Sequence, residues 1–315
     1  MSCEACHGAS SPWIGPHSRG VYQYDEVLAA GLFATADPSA RAGMCARCHG
    51  PDGGVRHTLL AAGHPRLDFD LASFSRLQPA HYVVDSDYRQ RKHPPTEAAI
   101  WAIGASTTVS ARFRALGDPA RSAALFPEFS LLSCGGCHVP LHENVRPAMA
   151  PNWRPREILD LSEIPALRAV ALATSPALAA EIDGRVQTLK ASISRRAVFA
   201  AAALDLATVT DRLAVSLKTT NLSGAQALVA LQSLPDATAM AANPAAAESA
   251  LRAIAALART SLESGVASPA DARHLLAQLE SLSTLRGGDP PLQAADRAGL
   301  RAALVRAAGQ TEMIR

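Results

Sequence analysis

Lysine is almost missing from this chain: of its 30 basic side chains, only Lys92, Lys190 and Lys218 are lysines. That bias matches a GC-rich genome, in which Arg and Ala codons rise together. Net charge is scarce too, at +2 for 315 residues, and no block of like charges forms a stripe that could track phosphates. Nucleic acid is therefore not an expected partner. Long apolar runs are lacking: the richest, Ala197 to Leu204, is stopped by Asp205, well short of the 18 or so residues of a membrane span. No transmembrane segment is expected. There is no Ser/His/Asp constellation, Gly-rich phosphate loop or paired-carboxylate site; Asp68/Asp70 and Asp85/Asp87 read as solvated loop carboxylates. The second half contains no cysteine and a single histidine, His274, which reads as a surface or capping residue.

What the first half does hold is a repeated motif. All six cysteines fall in pairs, Cys3/Cys6, Cys45/Cys48 and Cys134/Cys137, and each pair is followed at once by histidine: His7, His49 and His138. This C-x-x-C-H pattern is the attachment signature of haem c. Two thiols separated by two residues can add to the two vinyl groups on one porphyrin edge, and the adjacent imidazole then lies under the iron as proximal ligand. Zinc ribbons need two C-x-x-C pairs per metal, which would leave one of the three unused, and give no reason for the trailing histidine. A thioredoxin-like site needs one pair between a strand and a helix. A disulfide stays open for any single pair in an exported protein. The expectation is three covalent haems c, which would also supply part of the apolar core in a chain with only 4% aromatic residues.

Seven further histidines are His17, His57, His64, His81, His93, His142 and His274, and all but the last lie among the motifs. Their crowding favours imidazole as the sixth iron ligand. Methionine is the other common choice, but Met44 abuts Cys45 and Met149 reads equally as a packing residue. Bis-histidine iron is thus the default, with a lower potential than His/Met iron.

Composition divides the chain near residue 155. Residues 1–155 are rich in Pro and Gly and show little regular pattern beyond a helix starting at Thr96, with Ile100, Ile103, Val109 and Phe113 on one face. After the proline-rich stretch 147–155, Ser175-Pro176, Asn243-Pro244 and Ser268-Pro269 each place a capping residue before a Pro at the first helical position, with Asp271 completing a capping box. Behind these starts run apolar stripes: Ile182, Val186, Leu189; Leu251, Ile254, Leu257; and Leu275, Leu276, Leu279, Leu282. The fold expected is mainly α: an irregular haem-packed domain over 1–155, then an all-α bundle of five to seven helices over 156–315. The bundle should fold by itself, without haem, as a docking or oligomerisation module.

Around the motifs, the sequence resembles the multihaem cytochrome c family whose prototype is the tetrahaem electron acceptor of hydroxylamine oxidoreductase. The likeness rests on Cys3 to Gly8 followed by Trp13 and Pro16-His17, on His57 to Leu67, and on Pro127-Glu128-Phe129 leading to Cys134 to His138. It covers about residues 1–145. The resemblance implies that His17 is a distal ligand to a haem other than that of its own motif, and that His57 and His64 are the next distal candidates. Three motifs stand here, one fewer than in the prototype, and the chain starts on a motif with no leader before it. Haem attachment ordinarily follows export, so the location expected is periplasmic or extracellular, and either a haem-bearing segment belongs upstream or the protein is truly trihaem. Electron transfer between redox partner proteins is the leading reading, with self-association left open. A haem enzyme with an open iron acting on small nitrogen oxides, or a redox-sensing docking protein, are the alternatives; the first would show high-spin iron, the second a partner for the bundle.

Overall fold

A computed structural model describes residues 3–18, 23–50, 57–64, 69–78, 83–118, 129–133, 158–236, 244–284 and 291–309. The chain is mainly α-helical, as the sequence predicts, and among the described residues the only β feature is an isolated bridge between Leu132 and Leu159. No described helix is long and apolar enough to cross a membrane.

The first half is more helical than its pattern suggests. It holds α1 (Glu4–His7), α2 (Ile14–Ser18), α3 (Tyr24–Ala29), α4 (Pro38–His49), α5 (His57–Ala61), α6 (Leu71–Leu77), α7 (Ser86–Lys92) and α8 (Glu97–Gly117). Aspartates start three of them: Asp37 accepts from Ser39 N (2.8 Å), Asp70 from Ser73 N (2.7 Å) and Asp85 from Tyr88 N (2.8 Å). Two of the alternating carboxylates are therefore helix caps, and Asp87 pairs with Arg91 one turn along (2.6 Å). Asp68 lies outside the described residues.

In the second half stand α9 (Ile164–Thr174), α10 (Pro176–Ser192), α11 (Arg196–Thr220), α12 (Gly224–Gln232), α13 (Pro244–Glu263), α14 (Pro269–Thr284) and α15 (Pro291–Ala307). The Pro-primed starts at 176, 244 and 269 all begin helices, and Ser268 and Asp271 form the expected reciprocal box (Asp271 N to Ser268 Oγ 3.2 Å, Ser268 N to Asp271 Oδ2 2.9 Å). A second box, Ser223 with Gln226, starts α12. Every residue of the three apolar stripes is buried.

The packing boundary does not follow the compositional one. The most extensive helix contact in the molecule joins α8 to α11, and α8 also packs on α13 and α9. A single apolar cluster runs from Ala72 to Ala308 and takes in Trp101, Ile103, Val109, Phe113 and Leu116 of α8. Thus α8, drawn from the first half, packs centrally among the helices of the second. Its burial extends round the helix: Ala98, Ala102, Gly104, Ala105, Ser106 and Thr108 are covered as well as the predicted face. Polar groups at its ends are matched from the bundle. Thr260 Oγ1 accepts from Ala98 N (3.0 Å), Thr96 Oγ1 donates to Leu222 O (2.8 Å), and Arg112 forks onto Glu163 (2.7 and 2.9 Å).

Candidate functional site

The first motif folds as one helical turn. Cys3 precedes α1, His7 N donates to Cys3 O (2.9 Å), and Cys6 and His7 follow on the same side of the turn. Glu4, inside the motif, accepts from Ser10 N (2.8 Å) and Ser10 Oγ (2.7 Å). Those two bonds hold its carboxyl below the usual range and clamp the loop leaving the motif. Gly8 ends the turn at φ +77°, and a Cβ there would stand 2.8 Å from Gly31 O, so both conformation and space demand glycine. Phe33 N donates to His7 O (3.0 Å), which ties the motif to the segment leading into α4.

The second motif forms the last turn of α4. Cys45, Cys48 and His49 stand at i, i+3 and i+4, so both thiols and the imidazole rise from one face, with Arg47 and His49 favourably placed at the carbonyl end. The flank of that face is anchored: Ala42 and Ala46 pack with Phe69 and Leu71, and Cys45, Phe74 and Ile100 close round them. Gly104 of α8 allows this approach, since a Cβ there would lie 2.6 Å from that of Leu71. Lys218 of α11 reaches Asp37, the cap of α4, at 2.6 Å. The motif helix therefore sits on the bundle. Cys48 and His49 remain exposed, with the His49 ring centroid 5.6 Å from that of Phe74.

The two motifs lie within electrostatic reach of one another. Burial raises the pKa of the Cys45 thiol; the Cys6 charge adds to this, Arg41 opposes it, and Cys48 adds again. None of the four described cysteines is in a disulfide. Among the described residues no three His, Cys, Asp or Glu side chains converge as a metal-ion cage, which is the geometry a zinc ribbon needs. Each described motif presents two thiols and an imidazole on one face of its helical turn.

The third motif, Cys134, Cys137 and His138, lies outside the described residues, as do His81, His142 and Met149. Its approach is described. A 3-10 turn at Phe129–Leu131 leads to Leu132 and Ser133, and Ser133 N donates to Ile158 O (2.8 Å). The predicted distal histidines are spread over the motif half. His17, exposed at the end of α2, meets Trp13 edge to face at 5.9 Å. His57, half-buried at the start of α5, meets Phe129 edge to face at 5.8 Å, beside the approach to the third motif. His64, exposed, follows the left-handed Gly63. His93 caps α7 at φ 42°, and His274 lies 3.0 Å from Gln278 on α14.

Two side chains beside the motifs, Trp13 and Arg41, were given no role of their own by the sequence. Each has a buried N–H with no acceptor among the described residues, and no pattern in a sequence signals that. Comparison with protein-family models, curated proteins and solved structures finds no match for this chain.

Proposed function

We propose that this chain is a multihaem c-type cytochrome that passes electrons between redox partner proteins outside the cytoplasm. The observation that carries the reading is the use of all six cysteines in three C-x-x-C-H motifs. The helical, one-faced placement of the two described motifs supports it. Haem c, when bound, supplies an iron that takes up and releases one electron. The chain does the rest. Cys3/Cys6, Cys45/Cys48 and Cys134/Cys137 would hold the three groups by thioethers, and His7, His49 and His138 would be the proximal ligands. His17, His57 and His64 are proposed as distal ligands, as in the family that the first half resembles. Anchoring α4 on the bundle keeps the second site rigid, and rigidity limits the reorganisation that accompanies each electron.

Neither the alternative of an enzymatic open iron nor that of a sensor has a specific observation in its favour. The test is the covalent mass of protein matured in an exporting host with haem-attachment machinery. Denaturing mass spectrometry is expected to show three haems. A smaller number in fully matured protein removes the basis of the reading.

A further inference from the structure

Two N–H donors near the motifs, those of Trp13 and Arg41, find no acceptor among the described residues, and their chemistry narrows the missing one. Trp13 is 7% exposed and its Nε1 is buried without a hydrogen-bond partner. A buried indole N–H normally finds an acceptor. On α4, the Nε of Arg41 is likewise buried without a partner. No described carboxylate pairs with Arg41, whereas Arg112 has Asp160 and Glu163, and Arg297 has Glu248. Arg41 as a whole is half-buried, but that N–H is shielded from water, and a guanidinium is matched better by an anion than by a dipole.

Position narrows the anion. Arg41 stands four residues before Cys45 and seven before Cys48, on the thiol-bearing face of α4. Trp13 follows the first motif and packs against His17. The His7 to Phe33 hydrogen bond ties the first motif to the segment leading into α4. Resting on the cytochrome reading above, we infer that Arg41 and Trp13 receive the propionate carboxylates of the covalently attached haems. Arg41 supplies a charge-assisted bond and Trp13 a single N–H. Compensating a carboxylate beside an iron disfavours the ferric state, so the pair holds the potential of a haem above that of an uncompensated site.

The test uses holoprotein matured in an exporting host, as wild type and as Arg41→Gln, Arg41→Lys and Trp13→Phe. Covalent haem is first counted by denaturing mass spectrometry, and the reduction of each haem is then followed by spectroelectrochemical titration. Arg41→Gln is expected to shift the reduction equilibrium of one haem about tenfold towards the oxidised form, or about 59 mV for one electron. Arg41→Lys keeps the charge and should recover most of the shift, which a merely structural role would not predict. Trp13→Phe keeps the ring and should move a haem several-fold in the same direction. Superimposable titrations from fully loaded proteins overturn this inference alone. A shift that appears only when inorganic phosphate is varied also overturns it, since the site is then one for a free anion. A wild-type chain without covalent haem overturns the cytochrome reading as well.

Discussion

Deleting α8 from the bundle is the perturbation that most directly separates the compositional boundary from the packed one. A fragment of residues 156–315 keeps α9 to α15 but loses Trp101, Ile103, Val109, Phe113 and Leu116, all buried in the shared cluster. Each such side chain contributes about 2 kcal/mol through burial, so the loss approaches about 10 kcal/mol before the newly exposed faces of α11 and α13 are considered. Even lowered by about a third for a compact unfolded chain, that figure matches the whole stability of an ordinary domain, about 5–15 kcal/mol. Fragment 156–315 is thus expected to be molten or aggregated. Fragment 83–315, which restores α8 with its Thr96 cap and its Arg112 to Glu163 pair, is expected to melt cooperatively. Far-UV circular dichroism with thermal and urea unfolding reads both. A cooperative transition for 156–315 at the midpoint of the longer fragment would refute the central role of α8.

Replacing His17, His57 or His64 singly with Ala should convert part of the optical and electron paramagnetic resonance spectrum to high-spin, and unchanged spectra in all three would refute their role as distal ligands. Gly104→Val would drive a side chain into Leu71, at 2.6 Å from its first carbon, and should cost about 1–3 kcal/mol in thermal or chemical unfolding while loosening the seat of the second motif. Burial raises the pKa of Glu97 despite Arg76 at 2.6 Å and Arg259 at 3.6 Å, with Glu263 adding to the rise. In the native state Glu97 thus binds its proton more tightly than when unfolded, so its contribution is full below the ordinary glutamate range and is lost as pH rises through the raised value. The melting temperature of Glu97→Gln relative to wild type should accordingly climb with pH over that window, and a flat difference would refute the shift.

The spacing of cysteine and histidine is local, so the C-x-x-C-H motifs were legible without any fold: a pair of thiols and an imidazole within five residues carries its own chemistry. Helix starts in the second half were legible for the same reason, since Ser268-Pro269 with Asp271 satisfies backbone donors wherever the helix lies. The same signal at Asp37-Pro38 marks α4 and was hidden only by the motif that follows. Asp70 and Asp85 looked like loop carboxylates because their capping role depends on helices of only 7 residues, too short to show a period.

Packing decided the remainder. An amphipathic stripe declares which face is buried, but α8 is covered nearly all round, and Ala, Gly and Ser on its other faces offer no polar contrast to read. Its place in the bundle arises from α11 and α13, about 100 and 150 residues further along the chain. A glycine turn at Gly8 and one backbone bond between His7 and Phe33 tie the first motif to the segment that leads into α4. Sequence by itself determined which atoms could hold a haem, because covalent chemistry depends on neighbours in the chain. Only tertiary structure decided what those atoms rest on and which donors face them unpaired, because burial depends on neighbours in space.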